Sequence, residues 1–161
     1  MIVIPPVAIT PAMLVSSNAV DEPAWDAGTT YALGVFTSRN HRKWESLQAG
    51  NVGKTPETEP LWWRESGASN RMAAFDASPS TVTQRAGGLT MTIATGRRFT
   101  DLSLLGVKGR RVTLTLRDGP GGEIFFGPST ISVMASAGSY WAFCFGDLEQ
   151  LTVAIWSDLP S

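Results

Sequence analysis

The chain has 161 residues, of which 43% are hydrophobic and 17% are charged, a balance typical of one folded domain or two small ones. The formal net charge of −1 excludes a global electrostatic attraction to nucleic acid or to an acidic membrane. Sixteen glycines and ten prolines favour turn-rich β structure over helices.

The N-terminal residues 1–20 are predicted to form an extended arm. Pro5 and Pro6 favour a polyproline-like conformation and remove two backbone donors. A short helical turn is expected at Pro11, with Thr10 as its cap. The segment lacks the basic start of a signal peptide, and no run of the chain reaches the about 18 apolar residues of a membrane span. The apolar side chains of the arm need cover, and two alternatives stay open: its own domain or another subunit.

Residues 21–65 are predicted to form a small β module with an aromatic core. This stretch holds four of the six Trp and little aliphatic mass, so indole rings are the natural filling of its centre. Three short strands are expected, near Val35–Ser38, His41–Leu47 and Leu61–Glu65. Most aromatics are therefore core candidates, and the alternative is that one or two face outward and stack on a ligand.

Residues 66–161 are predicted to form a β-sandwich. A linker over residues 66–80 is expected to become a strand or bulge at Arg71–Asp76. Apolar residues and Thr alternate strictly in Leu89–Ile93 and in Val112–Leu116. In a strand this pattern places the apolar face on a core and the Thr-rich face on solvent or a neighbour. The remaining expected strands lie within Leu102–Val107, Ile124–Phe126, Ile131–Val133 and Leu151–Ile155, with a turn at Asp118–Gly122.

The aromatic module resembles the small carbohydrate-binding modules of bacterial chitinases. The residues that carry this resemblance are Trp25, Tyr31, Gly34, Val35, Trp44, Pro56 and Trp63. In that family an outward aromatic pair stacks on sugar, and Trp62–Trp63 is the nearest match here. Adjacent residues of a strand point to opposite faces, so one ring is expected inside and the other outside. The resemblance implies that Trp63 is the packed Trp of the family and that Trp62 is the extra, outward one. The resemblance implies that the carbohydrate-binding residues are Trp44, Trp62, Trp63 and Tyr31.

A longer series of motifs is similar to a family of tailed-phage and prophage virion tail proteins. It covers nearly the whole chain and comprises Ile9–Leu14, Ala24–Trp25, Thr30–Tyr31, Glu45–Leu47, Gly50-Asn51-x-Gly53, Trp63, Ser69–Met72 and Phe75–Asp76. From Phe75 onward the chain also resembles the galactose-binding, discoidin-like sandwich. Members of the phage family tend to continue beyond the position of Ser161. Two alternatives follow, a sandwich completed by a partner and an incomplete chain.

This resemblance implies a place in the virion tail or baseplate of a bacteriophage, after synthesis in the host cytoplasm. The implied partners are other virion tail proteins and further copies of the chain, with a host cell-surface glycan as an additional contact. The leading hypothesis is therefore a non-enzymatic structural component that assembles through its arm and β modules. The alternative is a carbohydrate-binding module whose exposed Trp residues stack on a polysaccharide. Nucleic acid is not expected as a partner, because the aromatic residues and the basic residues lie in different modules.

The sequence predicts no catalytic site, metal site or cofactor. His41, the only His, lies in a polar turn, and a lone His base needs a nucleophile and an orienting partner. No His/Cys group has zinc spacing, and the Asp118–Gly122 turn lacks the ending of a phosphate loop. Cys144 is the only Cys and is expected to be a small buried hydrophobe. The chain spacing of Glu57, Glu59 and Glu65 is not evidence for a glycosidase pair.

Six basic residues are expected to cluster in the turns of the second module. Two interpretations stay open: charged strand ends that discourage aggregation, and an interface to an acidic neighbour or acidic polysaccharide. The residues are Arg97, Arg98, Lys108, Arg110, Arg111 and Arg117.

Overall fold

The computed structural model describes residues 7–76, 78, 80–133 and 153–160. Over these residues the protein is all-β, as predicted, with nine strands in small antiparallel sheets and two short 3₁₀ turns. The chain divides into two compact units, Met1–Ile93 and Ala94–Ser161. No helix among the described residues is long and apolar enough to cross a membrane. The predicted role of Cys144 lies outside the described residues.

The strands of the first unit form a three-stranded and a two-stranded sheet, and those of the second unit form two two-stranded sheets. The nine strands are β1 (Leu14–Ser17), β2 (Phe36–Arg39), β3 (Arg42–Ser46), β4 (Trp63–Ala68), β5 (Met91–Ile93), β6 (Leu102–Leu105), β7 (Arg111–Arg117), β8 (Ile124–Ser132) and β9 (Val153–Trp156).

The three-stranded sheet has the order β2-β3-β4 and forms the frame of the aromatic module. All three strands predicted for residues 21–65 are present, so this part of the sequence prediction is confirmed. Trp44 on β3 lies opposite Thr37 on β2 and Glu65 on β4. Because cross-strand partners share a face, the buried Thr37 and Trp44 define the inner side of the sheet.

The described part of the N-terminal arm pairs with its own chain. Strand β1 runs antiparallel to β5, with Leu14 opposite Ile93 and Ser17 opposite Met91. The predicted helical turn is present as the 3₁₀ turn Pro11–Met13. Thr10 occupies the N-cap position, as predicted, but its side chain makes no capping hydrogen bond. The backbone carbonyl of Thr10 instead accepts a bond from the Met13 N–H at 3.0 Å.

The segment after β4 differs from the prediction of a strand or bulge. Strand β4 continues to Ala68, and the chain then forms the 3₁₀ turn Ala73–Phe75. Asn70 holds this turn region in place, since its side-chain NH₂ donates to the carbonyls of Val20 at 2.8 Å and Gln84 at 3.0 Å. These long-range bonds fix a compact corner, which local alternation does not predict. Residues 66–93 therefore belong to the first compact unit.

The second unit contains two two-stranded sheets that contribute to one hydrophobic core. Sheet β6–β9 supplies the buried Ala154 and Trp156, and sheet β7–β8 supplies Leu116. The predicted strands Ile124–Phe126 and Ile131–Val133 are joined in the single strand β8. The Thr-rich face of β7 was predicted to lie away from the core, and Thr113 is exposed as expected. The Thr113 hydroxyl lies 2.9 Å from the Thr130 hydroxyl on β8.

Candidate functional site

Three of the four predicted sugar-binding aromatics form the buried core of the module. Tyr31, Trp44 and Trp63 are buried together, and the Tyr31 and Trp63 rings meet edge to face with centroids 5.0 Å apart. The Trp63 indole N–H donates to the carbonyl of Lys54 at 2.7 Å. Such a ring pair contributes about 1 kcal/mol beyond its buried area. These three rings therefore hold the fold together, and their faces are not open to a sugar.

Polar residues of the sequence motifs tie the same core together. Asn51 is fully buried, and its backbone forms an antiparallel bridge with Tyr31. The Asn51 side-chain NH₂ donates to the Ser46 hydroxyl at 3.0 Å and to the Trp62 carbonyl at 3.3 Å. Ser46 is also fully buried and donates to the Gln48 carbonyl at 2.9 Å. Ser46 of the motif Glu45–Leu47 and Asn51 of the motif Gly50-Asn51-x-Gly53 thus act in the interior of the module.

Trp62 is the half-buried member of the predicted aromatic pair. It immediately precedes β4 and packs against the aromatic core, whereas the adjacent Trp63 is only 2% exposed. Lys54 Nζ lies 5.7 Å from the centroid of the Trp62 ring and 3.9 Å from a carboxylate oxygen of Glu59. A ligand that stacks on Trp62 therefore has to share the ring with, or displace, a flexible ammonium group.

Two exposed leucines, Leu33 and Leu61, lie in the segments that flank the chain at the end of β3, near Trp62. The Gly34 N–H donates to the Ser46 carbonyl at 2.8 Å, and the Leu47 N–H donates to the Trp62 carbonyl at 2.9 Å. These bonds place Leu33 and Leu61 on either side of the chain that leaves β3. Their exposed fractions are 66% and 77%. We call Leu33, Leu47, Leu61 and Trp62 the apolar end of the sheet.

Trp25 makes a cation–π contact that the sequence does not predict. The Arg39 guanidinium carbon lies 4.4 Å from the centroid of the Trp25 ring. Arg39 Nε also lies 3.2 Å from a carboxylate oxygen of Glu57, and the Asn40 side-chain NH₂ donates to the other oxygen at 2.7 Å. These contacts link the β2–β3 turn to the distant residue Glu57. Two polar atoms of this arrangement, Trp25 Nε1 and Arg39 Nη1, are buried without a hydrogen-bond partner among the described residues.

His41 lies in the two-residue turn between β2 and β3. A pocket of about 330 Å³ joins it to the Asp76 carboxylate. The same carboxylate oxygen of Asp76 accepts two hydrogen bonds, one from the Ser78 N–H at 3.1 Å and one from the Thr81 hydroxyl. The described residues that line this pocket include no hydroxyl or thiol side chain. The pocket therefore offers His41 a carboxylate but no nucleophile.

The acidic residues considered for glycosidase chemistry each face a cation. Glu57 lies 3.2 Å from Arg39, Glu59 lies 3.9 Å from Lys54, and Glu65 lies 3.1 Å from Arg42. Within the described ranges, no group of three or more His, Cys, Asp or Glu residues could hold a metal ion.

The basic residues of the second unit do not form a single patch. Arg111 and Arg117 are the first and last residues of β7. At about 3.3 Å per residue they lie roughly 20 Å apart. The Arg117 guanidinium donates to the Gly122 carbonyl at 2.9 Å and so serves the turn after its own strand. Arg117 therefore lies at the opposite end of β7 from Arg111.

Comparisons with protein-family models, with curated proteins and with solved structures find no match for this chain.

Proposed function

We propose that the protein is a non-enzymatic structural component of a bacteriophage tail or baseplate, which assembles by burying its exposed apolar surface against neighbouring chains. The observation that carries this proposal is the apolar end of the sheet, where Leu33 and Leu61 are 66% and 77% exposed. Fully burying one such side chain contributes about 1.5–3 kcal/mol. Two such exposed leucines therefore favour association in a particle that presents many copies.

The placement of the motif residues supports the same proposal. Ser46, Asn51, Trp63 and Ser69 belong to the motifs that resemble tail proteins, and all four are buried. These residues stabilise the module, and contacts with neighbouring chains are made by its exposed residues. Since the described part of the arm pairs in cis through β1, assembly is assigned to the apolar end of the sheet and not to Leu14–Ser17.

A particle-incorporation experiment tests the proposal. Tailed particles purified from a strain that encodes the chain are expected to contain it, as seen by mass spectrometry and by immunogold electron microscopy. The double variant Leu33→Glu/Leu61→Glu is expected to reduce incorporation by about tenfold or more. Thr58→Glu, which adds one charge at an exposed polar residue, is the control and should incorporate normally. Absence of the chain from the particles, or normal incorporation of the folded double variant, would refute the proposal.

Glycan binding is a second candidate function, and the half-buried Trp62 is the observation that favours it. An indole face that is partly open can stack on the CH face of a sugar ring, and the neighbouring Lys54 would attract an acidic sugar. Titration with neutral and uronic-acid oligosaccharides, followed by tryptophan fluorescence, tests this function. Trp62→Ala should abolish the response and Thr58→Ala should leave it unchanged. A response that survives in folded Trp62→Ala would exclude this ring as the platform.

A further inference from the structure

We draw no further inference here: the strongest candidate, the outer face of the β6–β9 sheet on which Leu105 and Ile155 are 77% and 59% exposed, is an apolar face for which nothing in the described part of the chain shows what covers it.

Discussion

At the scale of single residues, Asn51 connects the aromatic core to the surrounding loops. Its backbone exchanges two hydrogen bonds with Tyr31, at 2.8 and 3.2 Å, while its side chain reaches Ser46 and the Trp62 carbonyl. A small domain has few aliphatic side chains to bury, so hydrogen bonds between its buried polar residues contribute much of its specificity. The Asn of the motif Gly50-Asn51-x-Gly53 is therefore explained by this internal role, whereas Gly50 and Gly53 are exposed and have positive φ, 72° and 67°.

We predict that Asn51→Ala lowers the free energy of unfolding by about 2 kcal/mol, because the Ser46 hydroxyl and the Trp62 carbonyl each lose a buried donor. Urea unfolding followed by tryptophan fluorescence measures the change. The control Thr58→Ala, at an exposed hydroxyl, should change it by less than about 0.5 kcal/mol. Equal effects of the two substitutions would contradict the internal role of Asn51.

Replacing each member of the Trp62–Trp63 pair with Phe should distinguish their roles. Trp63→Phe removes the donor to the Lys54 carbonyl and leaves a space in the core, so we expect a loss of about 2–3 kcal/mol. Trp62→Phe, at the half-buried ring, should cost about 1 kcal/mol or less. Thermal and urea unfolding of the two variants provide the comparison. A larger loss for Trp62→Phe would show that the pair has been assigned the wrong way round.

At the scale of elements, the β2–β3 turn shows how backbone geometry governs a hairpin. Asn40 and His41 both have positive φ, 49° and 61°, and the residues on either side, Arg39 and Arg42, are paired. Two consecutive left-handed residues suit the right-handed twist of a two-residue hairpin. Asn tolerates this conformation well and His less well. The single His of the chain is therefore explained as a strained turn residue.

We predict that His41→Gly increases the free energy of unfolding by about 0.5 kcal/mol, because glycine adopts the left-handed conformation without steric strain. The matched opposite change is Gly34→Ala. Gly34 has a φ of 77°. Apart from its immediate neighbours in the chain, no atom lies within 4 Å of the position of an alanine methyl group. The substitution is therefore opposed by backbone strain and not by a steric clash. This variant should lose about 1 kcal/mol. Urea unfolding measures both, and a destabilised His41→Gly protein would show that the imidazole makes an important contact.

At the scale of the whole molecule, each compact unit has its own core. The first unit is built on Tyr31, Trp44 and Trp63, and the second on residues that include Leu116 and Trp156. The five ion pairs among the described residues also lie in the first unit, where they connect strands and turns. The two units therefore rely on different interactions, aromatic and ionic in one and mainly aliphatic in the other.

We predict that Leu116→Ala affects the second unit selectively. Truncating a buried leucine costs about 2–5 kcal/mol, and exchange of the protected amides of β7 and β8 should accelerate by about a hundredfold. The amides of β3 and β4 should keep their exchange rates, since their core is separate. Hydrogen exchange measured by NMR or mass spectrometry checks this. Equal acceleration in β3 would mean that the two units unfold as one.

The sequence by itself determined the all-β class, the three strands of the aromatic module and the placement of one ring of the Trp62–Trp63 pair inside and the other outside. These features are local, because the alternation of side chains along a strand is encoded by neighbouring residues. Only the tertiary structure decided that Trp44 is covered, that β1 pairs with β5, and that residues 71–76 form a corner instead of a strand. Each of these depends on contacts between residues far apart in the chain, which periodicity does not specify.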